Sequence, residues 1–129
     1  MAEGFAAGVA NAILDALCRS VSWTEPAVIY VQLHTAAPGA DGTANVATET
    51  DRIQATFGDA AASGAISNTV ALTWEGVAGS EDYTHCTLWD DLSAGNFQAS
   101  GAITASAVTA GNDFTIPIGG LDVSLPVAS

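Results

Sequence analysis

Apolar residues recur at every fourth position near the start of the chain: Phe5, Val9, Ile13, Leu17 and Val21 form one row, with Asn11, Asp15 and Arg19 on the other side. That period predicts an amphipathic helix over 5–21. Gly4 and Gly8 weaken its first turns, because glycine gives up the most backbone freedom in a helix. Pro26 ends the run by turning Glu25 away from helical geometry. The stripe needs cover, either from one face of a sheet or from the same surface on a neighbouring copy.

From position 27 the period changes to two, the signature of strands. Over 27–35, Ile29, Val31 and Leu33 point one way and Tyr30, Gln32 and His34 the other. Over 52–57, Ile53, Ala55 and Phe57 face inward, with Arg52, Gln54 and Thr56 outward. The segment 65–74 sets Ile66, Val70, Leu72 and Trp74 against Ser67, Thr69 and Thr73. Asn68 interrupts its buried row, so the amide needs partners there.

THCTLWDDLSAGNFQASGAIT, residues 84–104, reads as two antiparallel strands around the turn formers Asp90 to Asn96. With Cys86 and Leu88 inward, Tyr83, His85 and Trp89 fall on the outer face, and the helix is expected to cover some of the outer aromatics. A short apolar patch around Val108 and a turn at Gly111 and Asn112 lead to Phe114, Ile116 and Ile118. Pro117 marks that strand as an edge, since it cannot donate to a ladder. Gly119 and Gly120 turn the chain into Leu121, Val123 and Leu125. Residues 36–50 carry Pro38, Gly39, Asp41 and Gly42 without any period, a long loop of the kind that carries function.

The expectation is a single domain over 1–129, mainly β: the helix, then an antiparallel sandwich or flattened barrel of about seven strands over 27–126. At 129 residues the chain is large enough to fold without disulfides or metal. Cys18 and Cys86 fit neither a CxxC nor a zinc spacing and read as free thiols.

Charge narrows the function classes. Fourteen acidic residues stand against two arginines and no lysine, for a formal net charge of −12. Such a chain neither neutralises a row of phosphates nor is drawn to an anionic bilayer, so nucleic-acid and membrane-surface roles are disfavoured. Glu3 stands where a secretory leader would carry positive charge, so synthesis and folding are expected in the cytoplasm.

No catalytic constellation emerges. His34 and His85 are the only candidate general bases, both on the outer side of a strand and neither near a nucleophile signature. Cys86 follows His85, but strand neighbours point to opposite faces. Asp90, Asp91 and Asn96 share a loop without the order of a calcium site, and a hydrogen-bonded turn explains them better. The carboxylates Glu25, Glu49, Glu75 and Glu81 sit in loops without a glycosidase motif. Neither a cofactor nor a metal is expected.

Six blocks in order resemble a family of small virion structural proteins of tailed bacteriophages, described as capsid decoration, head fibre or tail fibre proteins. They are ANAILDAL, VQLHTAAPGADGT, RIQATFG, GAISNTVALTW, the 84–104 hairpin and AGNDFTIPIGGLDVSL, which together span nearly the whole chain. The polar Thr50–Asp51 pair before Arg52 departs from the more aromatic approach expected there. The resemblance implies a non-enzymatic protein of the virion, made in the host cytoplasm, that self-associates and binds the major capsid protein across subunit boundaries on the head; a trimer is expected, because local threefold positions are common on icosahedral lattices. A tail fibre or tail-tip adhesin for a host receptor is the alternative, and a small sandwich hydrolase a remote one. The interface is expected at Tyr30, His34, Pro38, Asp41, Arg52, His85 and Trp89, and Trp89→Ala is expected to lower occupancy on particles without unfolding the monomer.

Overall fold

A computed structural model describes residues 3–128 of the chain. One helix, α1 (Ala7–Arg19), precedes eight strands: β1 (Ile29–His34), β2 (Ile53–Ala55), β3 (Ala65–Ser67), β4 (Leu72–Trp74), β5 (Glu81–Trp89), β6 (Phe97–Val108), β7 (Phe114–Ile116) and β8 (Asp122–Ser124). All pairings are antiparallel. A four-stranded sheet has the order β2-β1-β5-β6, and the pairs β3-β8 and β4-β7 form two smaller sheets. The sheets do not close into a barrel.

The alternation over β1 drives the packing. Val31 and Leu33 are fully buried and sit opposite Leu88 and Cys86 of β5. Against this face lie Leu72 and Trp74 of β4, Phe114 and Ile116 of β7, and Leu121 and Val77 from the loops. Trp74 and Phe114 are register partners with ring centroids 5.8 Å apart. The Trp74 indole N–H donates to the Asp51 carbonyl at 2.8 Å, which ties the second layer to the segment entering β2. Burying side chains of this size is each worth about 1.5–3 kcal/mol, and the core is made of them.

Four readings of the sequence change. The segment 65–74 is two strands in different sheets, broken at Asn68. Its side-chain carbonyl accepts the Leu121 N–H at 2.9 Å, and its amide donates to the Val70 and Pro117 carbonyls. An amide with that many local partners stabilises a corner in place of a continuing ladder, and Val70 beyond it is exposed. Ile118, expected inward, is likewise exposed, since β7 ends at Ile116 and the chain turns at Pro117. Tyr83 is in the core, packed edge-on against Phe114 at 5.0 Å. The β5–β6 register shifts between Tyr83 and His85, and the strict alternation on which the outward reading rests does not carry across such an irregularity.

The fourth change concerns cover. α1 has no buried residue and no side-chain cap at its start, so it does not roof the sheet. The loop between β1 and β2 does that instead, as the geometry of the outer face shows.

Candidate interaction surface

The outer face of the large sheet carries Tyr30, Gln32 and His34 from β1 and His85, Thr87 and Trp89 from β5. Register pairs Tyr30 with Trp89, Gln32 with Thr87 and His34 with His85. Four of these six are nearly or fully buried: His34 and Thr87 at 0 % exposure, Trp89 at 7 % and Gln32 at 8 %. The outer row of β1 and β5 is therefore largely interior.

The loop following β1 folds back over this face. Thr35 N–H donates to Asn45 O and Ala47 N–H to Leu33 O, so the two ends of the loop zip together, and His34 bridges Val46. Ala44 O then lies 2.8 Å from His34 Nδ1. Because a carbonyl only accepts, Nδ1 carries the proton and Nε2 accepts from Thr87 Oγ1 at 2.8 Å. The Trp89 indole N–H donates to the same Thr87 oxygen at 2.7 Å. Burial holds the His34 pKa below its ordinary value, only partly offset by the Ala44 carbonyl. At its tip the loop rests on Phe97. Gly42 has φ +70°, and a Cβ there would stand 2.5 Å from the ring, so only glycine fits.

Arg52 closes the other side. Its guanidinium lies 4.2 Å from the Trp89 ring centroid and donates to the carbonyls of Asp91 at 2.9 Å and Ala94 at 2.7 Å. It thereby fastens the β5–β6 turn to the start of β2. Within that turn the Asp90 carboxylate accepts the Asn96 backbone N–H at 2.6 Å and its side-chain amide at 2.9 Å. Those bonds hold the Asp90 carboxyl below its ordinary pKa.

Of the expected interface residues, then, Tyr30, His34, Arg52, His85 and Trp89 share one face, and Pro38 and Asp41 belong to the loop above it. Pro38 is fully buried, while Asp41 is exposed and Tyr30, Arg52 and His85 are half-buried. His34, Pro38 and Trp89 are engaged inside the molecule, so Trp89→Ala removes packing before it removes any outside contact. His85 is bound on both nitrogens, to Thr84 Oγ1 at 2.8 Å and to Glu3 Oε1 at 2.7 Å. That last bond ties the chain start to β5.

Chemically the face is quiet. Among the described residues no three His, Cys, Asp or Glu side chains gather around a metal position. The Cys86 thiol is buried and its pKa is pushed up to about 12 by desolvation, which leaves no reactive thiolate at neutral pH. Thr87 was not singled out by the sequence, where a strand threonine carries no signal. Leu14 falls outside the fourfold row of the helix and carries no signal either. It is 57 % exposed on α1, beside Leu17 at 78 %.

Residues 4–124 match the family described as Podophage GP4 fiber I protein gp80. No curated protein matches the chain.

Proposed function

The chain belongs to the podophage GP4 fiber I protein gp80 family, and from that premise we propose that it is a non-enzymatic structural subunit of a phage fibre, held on the virion by contacts with other virion proteins. The observation that carries this reading is the extent of the match. It takes in the helix, the covering loop and both layers of the sandwich, and so concerns the whole body of the protein.

The site chemistry supports it. Side chains that elsewhere act as bases or nucleophiles are here committed to holding the fold: both nitrogens of His34 and of His85 are occupied, and Cys86 is a buried neutral thiol. What is presented outward is an acidic body, suited to fitting against a partner. Repetition around a particle turns individually weak contacts of such a body into persistent attachment.

Decoration of the head, with the major capsid protein as the partner, makes use of the same body, and location separates the two. A gold label on a C-terminal tag, imaged on purified particles by electron microscopy, is expected at discrete fibres. Label spread evenly over the shell would move the role to decoration. Absence of the protein from purified particles would overturn the virion role altogether.

A further inference from the structure

The fold uses its tryptophans in two ways. Trp74 and Trp89 are 1 % and 7 % exposed, and each indole N–H has an acceptor, the Asp51 carbonyl and Thr87 Oγ1 respectively. Trp23 lies in the stretch 20–28 between α1 and β1 and is 37 % exposed. It has no place in the core, and its N–H has no partner among the described residues. A ring left partly in water contributes less to stability than a buried one, and it keeps a flat apolar face and a donor available to a ligand.

Three segments meet around that ring. The start of α1, the stretch holding Trp23, Thr24 and Glu25, and the β5–β6 turn with Asp90, Asn96 and Gln98 line an open depression of about 520 Å³. A Cβ at Gly8, on the helix side, would meet nothing within 4 Å. There is room there beside the backbone.

The polar groups around the ring are partly held in place. Asp90 is fixed by the two bonds it accepts from Asn96, at 2.6 and 2.9 Å, and Gln98 Nε2 donates to the Asn96 carbonyl at 3.1 Å. Each Asp90 oxygen retains a further lone pair, and Gln98 keeps its own side-chain oxygen and a second N–H. Glu25 is exposed.

This mixture selects among ligands. Neither arginine lines the depression, so Glu25 and Asp90 repel an anion. A lysine ammonium pairs with the carboxylates but offers the donors of Thr24, Asn96 and Gln98 no acceptor. A sugar hydroxyl donates and accepts, and so matches carboxylates and amides together. The C–H face of a sugar ring supplies the flat apolar surface that an indole packs against.

We propose that the depression around Trp23 binds a neutral saccharide, with the indole as its platform, the Glu25 and Asp90 carboxylates accepting from its hydroxyls and the Gln98 amide donating to them. The inference does not depend on the fibre reading, since it concerns the purified protein wherever on a particle the chain sits. The test is an array of neutral, acidic and amino-bearing oligosaccharides probed with the full chain, followed by calorimetric titration of the glycans retained. Retention of neutral glycans alone is expected. Trp23→Ala is expected to bind them about tenfold more weakly, Trp23→Phe to fall between it and wild type, and both to keep the wild-type urea midpoint. Glu25→Gln changes only an exposed side chain and should also weaken binding. Failure to retain any neutral glycan, retention of charged glycans or of an oligolysine peptide in their place, or equal binding by wild type, Trp23→Ala and Glu25→Gln would each overturn the proposal.

Discussion

His34 Nε2 and Thr87 Oγ1 stand 2.8 Å apart across β1 and β5, both with no exposure to solvent. The pair is diagonal, since register places His34 opposite His85 and Thr87 opposite Gln32. One hydroxyl thus serves the histidine and Trp89 together, donating to the first and accepting from the second. The histidine in turn donates to Ala44 O. A buried chain of hydrogen bonds joins the β5–β6 hairpin, the central strand and the covering loop.

Thr87→Val keeps the shape of the side chain and removes its hydroxyl. Two buried groups then lose their partner, the indole N–H of Trp89 and Nε2 of His34. At about 1–3 kcal/mol for each of the two orphaned groups, a loss of about 2–6 kcal/mol is expected. A urea titration followed by tryptophan fluorescence measures it. Thr87→Ser, which restores the hydroxyl, should recover most of that loss; equal destabilisation in the two variants would assign the effect to packing.

Acid acts on the same chain. Burial lowers the His34 pKa in the folded protein relative to the ordinary value of 6.5, so the unfolded chain takes up the proton more readily. The stability this group contributes is complete above the unfolded value and is lost as pH falls from there through the lower folded value. Below pH 6.5 the unfolding free energy from urea titrations is therefore expected to fall with decreasing pH, by at most about 1.4 kcal/mol per pH unit for one proton. His34→Gln should flatten that slope. A variant with the wild-type slope would place the acid sensitivity elsewhere.

Why the sequence showed part of this and not the rest follows from what alternation encodes. The rows Val31–Leu33 and Leu72–Trp74 are legible because period two fixes which side chains point the same way, and those four are buried as expected. The partner of the opposite row is not encoded. His34 and Trp89 read as outer-face residues and are so, but a loop 36–46 without any period seals the first and Arg52 covers the second. Strict alternation misplaces Tyr83 because the β5–β6 ladder is irregular between it and His85, and such an irregularity leaves no mark in composition. The helix is legible from its fourfold row, but only the first part of that row finds cover among the described residues: Phe5 packs on the core and Val9 and Ile13 are half-buried, while Leu17 and Val21 stay exposed.

Cys86 offers a local probe of the core. Its thiol is 3 % exposed and its pKa is pushed up to about 12 by burial alone, so attack on a disulfide reagent has to wait for the sandwich to open. In Cys18→Ser protein, reaction of Cys86 with Ellman's reagent at pH 8 is expected to run at least about a hundredfold slower than in urea-unfolded chain. Destabilising changes such as Thr87→Val should speed it in proportion to the lost stability. A rate insensitive to those changes would mean that a local motion at β5 exposes the thiol.

Asn68 tests whether the second layer hangs on one side chain. It is 1 % exposed, and its three side-chain hydrogen bonds run to Leu121, Val70 and Pro117. Its backbone adds two more, with Asn68 N–H donating to Leu121 O and Gly119 N–H donating to Asn68 O. The side chain therefore joins the corner between β3 and β4 to the turn between β7 and β8, which are otherwise paired only within their own two-stranded sheets. Removing it leaves the buried Leu121 N–H and two part-buried carbonyls without their partner. Asn68→Ala is expected to cost about 2–4 kcal/mol. Asn68→Asp keeps the acceptor for Leu121 N–H but sets a carboxylate against the carbonyls of Val70 and Pro117, so at pH 7 it should be at least as damaging as alanine. Lowering the pH to protonate that carboxyl returns a donor, and Asn68→Asp alone should then regain stability relative to Asn68→Ala. If the two variants kept the same difference at both pH values, the donor bonds would not be what holds the corner.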